Sequence, residues 1–133
     1  MTKKFILATL AYLIPSMILG MTWHFVIFKD LYASLGIYNR AEPIIPLGMT
    51  SMLIKGFIMA YLFPFFLREG NAIMQGIKFG LIMGLFLFSV STLANAAKIE
   101  VTSMSSWMIV QFAFHLIQFV IAGIGIGWVY KKP

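Results

Sequence analysis

Apolar residues run along this chain in four long blocks, separated by short stretches where charge, proline and glycine gather. The blocks cover roughly Phe5 to Phe28, Pro46 to Leu67, Ile73 to Ala97 and Ser105 to Tyr130. A helix needs about 20 apolar residues to cross a hydrocarbon core of about 30 Å, and each block is long enough. Pro43 and Pro46 mark the start of the second, "REGN" ends it, and Lys131 and Lys132 close the fourth. The pattern predicts an all-α chain: one domain over residues 1–133, folded as a membrane-spanning up-down four-helix bundle. The second and third connections are short, so the helices they join are expected to run antiparallel.

The first connection, "KDLYASLGIYNRAEPII", is longer and only partly polar. Leu31, Tyr32, Leu35, Ile37 and Tyr38 suit a short amphipathic piece lying along the membrane surface. The alternative is a lid folded over the helix ends. The N-terminus mimics a signal peptide, with two lysines before an apolar run. That run continues past Trp23 without a clean small-residue cleavage site, so it is expected to stay as the first helix.

Composition strengthens this picture. Hydrophobic residues make up 61% of the chain and charged ones 11%, and mean hydropathy is +0.94. A soluble domain is about a quarter charged; this one has too little polar surface to coat a water-soluble globule. The net charge of +6 comes without a basic run or an aromatic-basic pattern, so it points to bilayer orientation rather than nucleic acid. With both termini in the cytoplasm, the inner side holds Lys3, Lys4, Arg68, Lys78, Lys131 and Lys132, and the outer side Lys29, Arg40 and Lys98. Six against three favours that orientation, in a membrane expected to be a bacterial inner membrane. Trp23 and Trp107 then lie near the outer boundary, with Trp128 and Tyr130 near the inner one. Cysteine is absent, which removes disulfides and thiolate chemistry.

Two sets of small residues mark packing. Gly76, Gly80 and Gly84 repeat every four residues in the third block, as do Gly123 and Gly127 in the fourth. Small residues let helix backbones approach in lipid. These faces suit packing of the third helix on the fourth, or a subunit interface in a homo-oligomer or larger membrane complex. Pro15 and Pro64 deprive the carbonyls of Ala11 and Ala60 of their helical donors, so kinks are expected there.

The remaining polar residues share a depth. At about 1.5 Å per residue, with side chains leaning toward the N-terminus of their own helix, His24, Lys55, Thr92, Asn95, Gln111 and His115 converge on one layer. It lies roughly 6–10 Å below the outer boundary, and all four helices contribute. On the fourth helix Trp107, Gln111, His115 and Gln118 form one stripe. A lysine at the centre of a spanning helix costs about 3 kcal/mol on insertion scales, and such residues face the interior by preference. The four acidic residues, Asp30, Glu42, Glu69 and Glu100, all lie between the blocks. These six residues therefore suggest a cationic, outward-facing polar pocket for a small anionic ligand. The competing reading gives Lys55 a snorkelling role and the others a role in stitching helices together.

Enzymatic motifs are missing: there is no G-x-S-x-G elbow, HExxH or Walker loop, and no carboxylate pair. The chain reads as non-enzymatic, a binding or transport subunit, with an accessory subunit of a larger complex as the alternative. A redox subunit is the third option, either haem held by His24 and His115 or copper held by Met49, Met52, Met104 and Met108; no cofactor is identified. A retinal Schiff base on Lys55 lacks a counter-ion. "TWHFVIFKDLY", followed by the proline-rich "NRAEPIIPLGMTSMLIKGF", resembles small four-span bacterial integral membrane proteins of unknown function. The resemblance covers under a third of the chain. It implies a compact four-helix membrane domain and brings no activity with it.

Overall fold

The computed structural model describes residues 2–38 and 40–133. Asn39, within the proline-rich stretch quoted above, lies outside the described residues. The described residues form helices joined by non-helical connections, with no strand among them. α1 covers Lys3–Thr22 and passes into a π-helical segment, π1, at Trp23–Ile27. α2 is short, Lys29–Leu35, and α3 covers Ile45–Phe66. α4, Ala72–Phe88, continues through a second π-helical segment, π2, at Ser89–Leu93 into the single turn α5, Ala94–Ala96. α6 covers Met104–Val129. Four helical stretches, Lys3–Ile27, Ile45–Phe66, Ala72–Ala96 and Met104–Val129, are long and apolar enough to cross a membrane.

Local chemistry sets the ends. The Thr2 hydroxyl accepts from the Phe5 amide at 3.2 Å, and the Ser103 hydroxyl caps α6 from the Ser106 amide. Asn71 accepts from the amides of Ile73 and Met74 at 2.9 and 3.1 Å. Two orphan donors thus depend on one side chain, and Asn71→Ala should cost about 1 kcal/mol, read as a lower midpoint of thermal unfolding. Gly36 ends α2 in the left-handed region, at φ 74°, a conformation glycine adopts without a Cβ penalty.

The tightest packing joins α4 and α6. A Cβ on Gly76 would overlap the carbonyl of Gly123, and one on Gly80 the carbonyl of Phe119. A Cβ on Gly84 would lie 2.9 Å from the His115 carbonyl. The partner's number falls as the glycine's rises, so these two helices run antiparallel. Gly127 closes on Ala72 and Ile73 at the far end. The glycine faces are thus spent on each other within one chain. α1 packs between α6 and α3. Gly125 of α6 sits against Ala11, the residue whose carbonyl Pro15 leaves without its helical donor. Gly56 of α3 sits against Thr9 and Tyr12. Ala8, Tyr12, Met59, Phe63, Phe79, Phe119 and Ile126 form the main core.

Both α1 and α3 continue as helix through their prolines. The departures from α geometry are π1 and π2, neither of which the proline rule locates. In π1 the Phe28 amide bonds the Trp23 carbonyl at 3.0 Å, a span of five residues. In π2 hydroxyls serve the widened turns. Ser89 donates to the Phe86 carbonyl and Ser91 to the Leu87 carbonyl, each at 2.7 Å.

A second, smaller core forms at the end of the molecule bearing the first and third connections. The first connection is not a strip lying flat beside the helices. Tyr32 and Leu35, three apart on one face of α2, are buried together with Trp107. Trp23, Phe28, Ile37, Val101 and Met104 pack around them. Thr102 donates to the Ser34 carbonyl at 2.9 Å, tying the first connection to the third. This cap encloses the ends of α1 and α6.

Candidate functional site: a polar cluster beneath the cap

The site is built along α6, one turn at a time. Trp107, Gln111 and Phe114 are buried and His115 is half-buried. Three residues further on, Gln118 donates to the Tyr12 hydroxyl at 3.3 Å. α1, π2 and the cap each add a hydrogen-bond partner to this column.

Gln111 does not meet Lys55. Its amide donates to the hydroxyls of Tyr32, at 3.3 Å, and Tyr38, at 2.9 Å. Both NH donors therefore hold the cap down. Tyr38 leaves 54% of its surface exposed yet tucks its hydroxyl against Gln111. Burial pushes the Tyr32 phenol up from its ordinary range, which keeps its hydroxyl protonated. The two tyrosine rings lie over His24, at 5.2 and 6.0 Å between centroids.

His24 and His115 flank Phe114, whose ring centroid lies 4.5 Å from one imidazole and 5.6 Å from the other. His115 Nε2 pairs with the Ser91 hydroxyl at 2.9 Å. Thr92 is buried beside it, its hydroxyl 3.4 Å from that of Ser91. Asn95 is turned onto its own helix, donating to the Ser91 carbonyl. Lys55, half-buried on α3, lies within electrostatic reach of both imidazoles. Among the described residues no carboxylate is paired with it.

Among the described residues five buried polar atoms have no hydrogen-bond partner: His24 Nδ1, His115 Nδ1, Trp107 Nε1, Trp23 Nε1 and Ser16 Oγ. The last two lie beside the hydroxyls of Tyr32 and Tyr12 without forming a well-shaped bond. Leaving a buried polar group unpaired costs about 1–3 kcal/mol, and native structures keep few such groups without a reason. Two of the five belong to His24 and His115.

The arrangement suits an anion better than haem. A porphyrin ligated by His24 and His115 would have to displace Phe114, whose ring packs against both imidazoles. His115 Nε2 is also already engaged by Ser91. Two surface grooves lie elsewhere. One of about 540 Å3 is lined by Thr2, Phe5, Phe57, Ile58 and Tyr61. The other, of about 470 Å3, follows the α3–α4 turn beside Arg68 and Lys78.

Sequence spacing did not single out Ser91, Tyr32, Tyr38 or Phe114 as contacts of this cluster. The signal for Ser91 was the run Ser89-Val90-Ser91-Thr92. Its hydroxyls compete with helical hydrogen bonds, and its β-branched residues are stiff. π-helical turns of this kind recur at functional sites, and here they carry His24 on one helix and Ser91 on another. No protein-family model, curated protein or solved structure matches this chain.

Proposed function

We propose that the chain is an integral membrane protein of a bacterial inner membrane, an up-down four-helix bundle with both termini in the cytoplasm. In its outer half it binds or passes a small anionic ligand. The antiparallel pairing of α4 with α6 supports the topology. So does the approach of Gly56 to Tyr12 and of Gly125 to Ala11. The excess of lysine and arginine on the side of the termini supports the orientation.

One observation carries the functional reading. Lys55, His24 and His115, each half-buried, come from three different helices to within electrostatic reach of one another, and among the described residues no carboxylate pairs with Lys55 and neither imidazole Nδ1 has a partner. A lysine withdrawn from water without an anionic partner is costly, and an anion pairs with Lys55 while accepting from whichever imidazole nitrogens carry a proton. Thr92 and Ser91 line the same site from π2. Gln111 and Asn95 shape it, one by holding the cap and the other by bracing π2.

Native mass spectrometry of the full chain released from its membrane tests this. The protein should carry an anionic adduct that Lys55→Met loses. Charge-assisted hydrogen bonds contribute about 1.5–3 kcal/mol, so occupancy should fall about tenfold or more. Equal adducts on both proteins would overturn the reading.

A further inference from the structure

The cap closes the outer end of α1 and α6 but leaves out α3. No α3 residue belongs to the apolar cluster around Tyr32, Leu35 and Trp107. Residues 41–51 are exposed throughout. Met52 rests on Gly20 of α1, and from Gly56 onward α3 rejoins the core through Met59, Ala60 and Phe63. Lys55 stands where the helix rejoins.

On its other side α3 meets α4 only sparsely. Their ring contacts, Phe63 and Phe66 with Phe79, lie toward the turn that joins them. The cluster is thus covered from above by the cap and floored by the aromatic core, and its open side is the gap between the outer halves of α3 and α4. Phe86 and Val90, seven and eleven residues beyond Phe79 and so on its side of the helix, give that gap an exposed apolar wall.

A hydrophilic anion approaching from that side would have to cross hydrocarbon, where charge is costly. An amphiphile is already there, held by its chain. We propose that the ligand is a single-chain anionic amphiphile reaching the site sideways from the outer leaflet. Its carboxylate or phosphate head pairs with Lys55 and the two imidazoles, while its acyl chain lies between α3 and α4. This deepens the anion-binding reading and rests on it.

Thermal unfolding of the full chain in an uncharged maltoside detergent separates the two. The probes are dodecanoate, dodecyl phosphate, dodecanol, acetate and inorganic phosphate. A twelve-carbon anion should raise the midpoint, with the preferred head identified by the larger rise. Dodecanol, acetate and inorganic phosphate at the same concentration should not. Lys55→Met should weaken the effect about tenfold or more, and Lys55→Arg should keep most of it. If acetate or inorganic phosphate stabilises as well as the amphiphiles do, and through Lys55, sideways access by an amphiphile is wrong and the anion site survives. If dodecanol matches dodecanoate, or Lys55→Met changes nothing, the head has no site at Lys55 and both readings fall.

Discussion

Replacing Gly80 with leucine should break the pairing of α4 and α6. Even the first atom of the new side chain would overlap the Phe119 carbonyl and crowd the Val120 backbone. Overpacking a core costs about 1–3 kcal/mol when side chains can move aside. Here the obstacle is backbone, so the two helices must separate. Separation would also lift Gly76 from Gly123 and Gly84 from His115, because all three contacts lie on one face. We expect a loss above about 3 kcal/mol and a fall in the unfolding midpoint on the order of 10 °C, followed by circular dichroism in detergent. Gly48→Leu is the matched control. Nothing lies within 4 Å of a Cβ at Gly48, so the same substitution there should leave the midpoint unchanged. Similar losses at both positions would show that helix propensity or hydropathy, not the close approach, governs stability.

The helices and this packing were legible for a simple reason. Apolar length and a four-residue glycine repeat are local properties of a chain, and the ends of the four long helices lie within two residues of the apolar blocks. The polar residues were legible only as a depth. Counting along each helix brought Lys55, His24 and His115 to one level, but a count of rise says nothing about rotation. π1 and π2 each widen one turn, which changes the facing of every residue beyond it. Ser91, inside π2, meets His115, whereas Asn95, beyond it, turns onto its own helix. The cap was less legible still. Leu31, Tyr32 and Leu35 fit a membrane surface as well as a folded lid. What decides between them is Gln111, 79 residues from Tyr32 in sequence, and no periodicity within the loop reports it.

Tyr32→Ala should release the cap while leaving the helix core intact. Tyr32 is 3% exposed. It touches His24 and Tyr38 through its ring, at 5.2 and 4.9 Å, and Gln111 through its hydroxyl. Cutting a buried aromatic back to alanine costs about 3–5 kcal/mol. α2 has only seven residues, and a helix that short has little stability of its own, so a loss of this size should exceed what holds the cap in place. Amides of residues 29–38 should exchange with deuterium at least about a hundredfold faster, as a loss near 3 kcal/mol implies. Amides around Tyr12 and Phe119, in the separate main core, should keep their protection. Tyr32→Phe keeps the ring and loses one hydroxyl contact, so its effect should be near 1 kcal/mol. Releasing the cap also opens the site from above. Acetate, silent in the parent protein, should then stabilise Tyr32→Ala, and Lys55→Met in that background should abolish the gain. If the loop amides stay protected, Tyr32 does not anchor the cap. If they open and acetate still does nothing, the cap is not what keeps small anions from Lys55.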